Sequence, residues 1–230
     1  MKFKNMFSPI QIGPMTVKNR FVVPPMGNNF ANSDGTWSDQ SVAYYSERAK
    51  GQFGLITIEA TVVHKGAKGG PKKPCLYDDN SIESLKRITD ACHAEGAKIS
   101  IQLQNAGPEG NAKNAGAPIE AATAIASADG RDIPEAVPTE KVYELVKGYG
   151  DAAVRAMKGG ADAVEIHMAP LLLSCHVCQE LQECLHHEVL HSKHQHKSLH
   201  EDRFLHILLL WQRLHDLQIY TDLQVSMSLL

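Results

Sequence analysis

The sequence predicts an α/β fold with a parallel sheet, the N-terminal half of a (β/α)8 TIM barrel, and three observations lead there. Short apolar, β-branched runs recur four times with helical patterns between them, in the order β-α-β-α-β-α-β, which implies right-handed crossovers. No G-x-G-x-x-G follows the first run; PPMGNN stands there, so the fingerprint of a dinucleotide-binding open sheet is missing from its place. Polar or special residues close each run, at Met26-Gly27, Glu59-Ala60, Gln102 and His167. In a (β/α)8 barrel the carboxyl ends of the strands are where active sites are built.

The elements follow in order. The runs Arg20 to Met26 (RFVVPPM), Gly54 to Val63 (GLITIEATVV), Lys98 to Leu103 (KISIQL) and Ala161 to His167 (ADAVEIH) are expected as strands apolar on both faces, as in a buried parallel sheet. Between them, Gln40 to Lys50, Ser81 to Glu95 and Thr139 to Lys158 carry helical spacing, with Thr139 as a cap-like residue after Pro138. Gly51, Gly96 and Gly159-Gly160 stand where a left-handed residue ends each helix.

Composition narrows the function classes. With a formal net charge of -3 there is no basic footprint, which argues against a nucleic-acid partner. No apolar run approaches the roughly 18 residues of a membrane span, and the first residues lack a signal-peptide core, so a cytoplasmic protein is expected. Residues after Ala169 are a different material. All 17 glycines precede that point, whereas the tail from Pro170 to Leu230 contains no Gly, Ala or Asn and holds nine of the 12 histidines. The expected organisation is therefore a partial barrel over residues 1–169 and a Leu/His-rich tail over 170–230.

Four segments, FSPIQIGPMTVKNRFVVPPM, YYSERAKGQFGLITIEATVV, IQLQNAG and GGADAVEIHMA, together resemble the Old Yellow Enzyme family of NAD(P)H-linked, flavin-dependent ene-reductases, over roughly residues 7 to 169. The resemblance implies FMN at the strand ends, NADH or NADPH as reductant, and a small activated alkene as acceptor. By that likeness Pro24, Pro25, Met26 and Gly27 form the strand-end segment whose backbone lies along the flavin, where Gly lets a planar ring approach closely. Ala60 matches a small residue packed near the ring. Gln102 matches the glutamine whose amide both donates to and accepts from the flavin's pyrimidine edge. His167 matches the histidine that hydrogen-bonds the electron-withdrawing oxygen of the acceptor, stabilising the charge that develops there. Glu59 and Glu165 are expected to point the other way along their strands and receive no catalytic role.

The departures from the family pattern are equally specific. Asn105 and Pro108 stand in the Q-L-x-H-x-G loop where His and Arg are common, and Pro170 and Leu172 stand where the second ligand of the His pair and the proton-donating Tyr are expected. A complete barrel needs about 250 residues. The later loops, and the iron-sulfur cluster that some full-length relatives carry, find no sequence here, so the chain as written is expected to bind flavin weakly or not at all and to be poorly soluble. Three readings of the tail stay open: a reading-frame shift near codon 170; a zinc-binding segment using Cys175, Cys178, Cys184, His186, His187 and His191; and a helical interaction tail with Leu199, Leu205, Leu208, Leu209 and Leu217. On either of the last two readings the product is a non-catalytic binding module.

Overall fold

In the computed structural model, the protein is described over residues 3–126 and 132–167. The tail, Pro170, Leu172 and the Cys/His cluster lie outside the described residues. The chain opens with an antiparallel hairpin, β1 (Ile10–Ile12) and β2 (Met15–Val17), turned at Gly13 with φ 54°. Then come β3 (Val22–Val23), α1 (Asp39–Lys50), β4 (Leu55–Val62), α2 (Ile82–Ala94), β5 (Lys98–Gln104) and a short helix α3 (Ala112–Ala115). A two-residue pair, β6 (Glu120–Ala121) and β7 (Glu135–Ala136), precedes α4 (Thr139–Lys158) and β8 (Ala163–His167). Strands β3, β4, β5 and β8 form one parallel sheet in that order, with every strand beside its predecessor in the βα series.

Two faces of this sheet have different chemistry. Ile56, Ile58, Ile99, Ile101, Leu103 and Val164 pack toward the helices with Leu85, Ile88, Cys92, Val146, Tyr149, Ala152 and Ala156 in one core. The alternate positions, Thr57, Glu59, Ser100, Gln102 and Glu165, are polar and also buried. The strands are therefore not apolar on both faces as expected. In a complete (β/α)8 barrel this is the inner face, which carries hydrogen-bonding groups where the strands end. Between Ile58 and Thr61, β4 carries one residue more than β5 opposite it, and the pairing register shifts there.

The opposite end of the sheet is closed by polar links to the hairpin. Lys18 Nζ donates to the Glu95 carbonyl at 2.7 Å and Asn19 Nδ2 to the Gln52 carbonyl at 2.7 Å. Gly54 is required there because a Cβ would meet the Asn19 carbonyl oxygen and Val17 Cγ1, both at 2.7 Å.

Several local expectations change. The first strand keeps only Val22–Val23, because Pro24 and Pro25 have no N–H to continue a ladder. Thr139 is the first helical residue of α4 and not its cap; Pro138 holds the cap position and makes no side-chain cap bond. The left-handed residue after α1 is Gln52, with φ 67°, while Gly51 has φ -67°. Gly96 and Gly160 are left-handed as expected, at φ 72° and 89°. The hairpin was not anticipated; its strands are three residues each, too short to show a period.

Candidate active site at the strand ends

After β3 the two prolines force an extended path that leaves Pro24, Met26 and Gly27 at the surface, with Met26 58% exposed. An exposed Met beside an enzyme-like strand end is the sort of apolar surface a planar ligand covers. Asn29 takes a left-handed conformation at φ 58°, which turns the segment back. Glu59, from β4, fastens it: Glu59 Oε2 accepts the Asn28 N–H at 3.1 Å, and Lys73 Nζ stands 3.9 Å from the same oxygen. The hydroxyl oxygen of Tyr45 on α1 accepts the Glu59 N–H at 3.0 Å, so a helix behind the sheet fixes the height of the carboxylate. Burial pushes the Glu59 carboxyl above the ordinary range, against the lowering by the Asn28 N–H and Lys73. Its second oxygen, Oε1, is buried with no hydrogen-bond partner among the described residues.

On the next two strands the register sets Gln102 opposite Glu165 and Gln104 opposite His167. Gln102 Nε2 donates to Glu165 Oε1 at 2.6 Å. Burial raises the Glu165 pKa, partly offset by that amide. His167 ends β8 with Nδ1 buried and without a hydrogen-bond partner among the described residues, and burial lowers its pKa, so the imidazole is neutral at pH 7. Neutral histidine offers one N–H donor and one acceptor, and here one of its two nitrogens is uncommitted.

The expected site residues thus fall on two adjoining patches of one face. Gly27 and Asn28, following Pro24, Pro25 and Met26, meet Glu59 and Lys73; Gln102 and His167 share the adjacent strands with Glu165. Ala60 lies at the β4 register shift, only partly buried. The reading of the two glutamates needs correction. Glu165 is two residues before His167 and so returns to the same side of the strand, where it bonds Gln102. Glu59 likewise faces the strand-end segment and does not turn away from it. The two-residue step from His167 was the signal that identifies Glu165. Lys73 had no signal in the sequence, since only the return of its loop brings it to Gly27.

The Asn105 loop takes its own form. Asn105 Oδ1 accepts the Gly107 N–H at 2.9 Å, while its backbone N–H donates to the Tyr149 hydroxyl at 2.9 Å. The buried Asn105 closes a side-chain turn onto Gly107, the first residue of the Gly107–Glu109 turn in which Pro108 sits. Among the described residues no group of three or more His, Cys, Asp or Glu is placed to hold a metal, and no helix is long and apolar enough to cross a membrane. An organic cofactor with an amide-like edge fits the donor set better: Gln102 keeps an acceptor and a second N–H beyond its bond to Glu165, next to an uncommitted histidine nitrogen.

Comparison with known proteins agrees with this geometry. The family model described as "NADH:flavin oxidoreductase / NADH oxidase family" matches residues 5–174. The chain is 35% identical over 167 residues to an NADPH dehydrogenase of Bacillus subtilis, a match covering 72% of this chain and 48% of that protein. It is 36% identical over 175 residues to a cinnamate reductase of Clostridium sporogenes, covering 72% of this chain and 26% of that one. Among solved structures it resembles an Old Yellow Enzyme from Pichia sp. AKU4542, with TM-score 0.72, 27% identity, and coverage of 80% of this chain and 56% of that chain. The chain therefore spans about half the length, or less, of the relatives it matches. The parallel βα series, its polar strand ends and a family match over well more than half of its residues place this chain in the NADH:flavin oxidoreductase / NADH oxidase family, to which the Old Yellow Enzymes belong.

Proposed function

We propose that the polar strand ends form the FMN surface of an NAD(P)H-dependent ene-reductase, acting on a small alkene activated by a carbonyl or carboxylate. The observation that carries this reading is the buried, uncommitted Nδ1 of His167 on the face that also presents Gln102. The cinnamate reductase relative is named for an alkene of this class.

When bound, FMN supplies the two-electron carriage between NADH or NADPH and the alkene. Pro24, Pro25, Met26 and Gly27 would lie along it, with Ala60 leaving room beside it. Gln102 would bind its pyrimidine edge, and Glu165 holds that amide in one orientation. His167, neutral because burial disfavours its cation, donates to the electron-withdrawing oxygen of the acceptor and stabilises the negative charge developing there. Burial raises the pKa of both carboxylates on this face, Glu59 and Glu165.

The test is a titration of the full chain with FMN, followed by flavin fluorescence, and then by NADPH consumption with cinnamate as acceptor. Weak but saturable FMN uptake is expected, reduced about tenfold or more by Gln102→Leu. His167→Ala should lower the cinnamate-dependent rate without changing FMN uptake. No uptake at all, or uptake indifferent to Gln102, overturns the reading.

A further inference from the structure

Resting on the flavin reading above, we propose that Lys73 is a further binding residue of this site: its ammonium, held over Gly27 by Glu59, receives a carbonyl or carboxylate oxygen of the group bound against the β3 end. Four observations converge on it. A Cβ built on Gly27 would meet Lys73 Nζ at 2.9 Å, so the ammonium occupies the space that a side chain at position 27 would take. Gly27 does not have a positive φ, so its backbone does not call for glycine. The ammonium makes no hydrogen bond among the described residues; its nearest charge is Glu59 Oε2, at 3.9 Å, and its side chain is only 24% exposed. The segment from His64 to Pro74, HKGAKGGPKKP, carries four lysines and no carboxylate, and of these Lys68 is already committed to the Ser33 carbonyl at 2.9 Å.

A half-buried ammonium with three N–H groups and one loose carboxylate neighbour has donor capacity to spare. Glu59 is anchored from behind by Tyr45 and from the side by the Asn28 N–H, so it fixes where that capacity is offered. The receiving oxygen can come from two sources, a ring carbonyl of FMN or the activating group of the acceptor, and both present the same chemistry to Lys73.

Two titrations of the full chain separate them: FMN by flavin fluorescence, and cinnamate against the FMN-loaded protein by the change in flavin absorbance. Wild type is compared with Lys73→Met, Lys73→Arg, Gly27→Ala and the double variant Gly27→Ala/Lys73→Met. If the oxygen is flavin's, Lys73→Met weakens FMN about tenfold. If it is the acceptor's, FMN affinity holds and cinnamate weakens by a similar factor. In either case Lys73→Arg recovers most of the loss. Gly27→Ala displaces the ammonium, and the double variant then falls short of the sum of the single losses. Losses that add, or Lys73→Met unchanged in both titrations, overturn the role of Lys73. Gln102→Leu keeps the two ideas apart: loss of FMN at Gln102→Leu with none at Lys73→Met sinks only this inference, whereas a wild-type chain that takes up no FMN sinks both.

Discussion

The two ends of the central sheet bury carboxylates in opposite ways. At the amino ends of the strands, Asp162 accepts from His93 Nε2 at 2.6 Å, Lys98 Nζ at 2.8 Å and the Ile99 N–H at 2.9 Å. Burial alone would raise its pKa, but these partners outweigh it and hold the carboxyl below its ordinary range. At the carboxyl ends, Glu59 and Glu165 keep raised pKa values, and Glu59 Oε1 and His167 Nδ1 have no partner among the described residues. One sheet thus satisfies its buried charge at one end and leaves polar capacity open at the other. Structural polar clusters are complete by themselves; a site for a ligand is complete only with the ligand.

The largest effect that would break this contrast is expected at the closed end. Asp162→Ala should lower unfolding stability by about 2–3 kcal/mol, at the low end for a buried ionic cluster because His93 and Lys98 stay about a third exposed. Urea denaturation of the full chain checks it, and a loss of FMN affinity without a loss of stability would reverse the assignment of the two ends. Next, Gly54→Ala should cost about 2 kcal/mol, since its Cβ would press on backbone at Asn19 and the hairpin could not relax without moving. A change of less than about 0.5 kcal/mol in the same assay would show that the hairpin is free to shift.

At the open end, Gln102→Leu should cost about 1–2 kcal/mol of FMN binding and, by leaving the buried Glu165 carboxyl without its partner, about 1 kcal/mol of stability, less than Asp162→Ala. A fall in stability as large as that at Asp162 would make Gln102 structural. The smallest effect is in pH dependence, where the two ends carry opposite signs. The Asp162 contribution is present above its unfolded pKa of about 3.9 and is lost as pH falls through the lower folded value. The Glu165 contribution is present below about 4.3 and is lost as pH rises through the raised folded value. Glu165→Gln should therefore flatten the decline in stability above pH about 4.3. An unchanged pH profile would show that Glu165 titrates normally.

Where the sequence was legible, strong punctuation made it so. α4 runs from Thr139 to Lys158 as expected because Pro138 and Gly159-Gly160 bracket it, and β4, β5 and β8 differ from their apolar runs only at the edges. The inner face was harder to read. Threonine, serine and alanine inside β-branched runs look like ordinary strand composition, and nothing local says that Gln102 and Glu165, 63 residues apart, will be paired. Glu165 was still recoverable from its two-residue spacing to His167. Lys73 was not, because its position depends on a loop whose path is set by tertiary packing.

The register shift in β4 has one more result. Before it, the even-numbered Ile56 and Ile58 face the helices; after it, the odd-numbered Val63 joins that core, while Val62 falls into a separate small cluster with Ala67 and Cys75. The extra residue acts as a change of parity, handing the outward role from one set of positions to the other within a single strand. Deleting Ala60 would therefore remove the extra residue and restore plain alternation along β4. Thr61 would still lie opposite Leu103 and Val62 opposite Gln104, so every side chain would keep its face, whereas deleting a residue beyond the shift would turn the rest of the strand over.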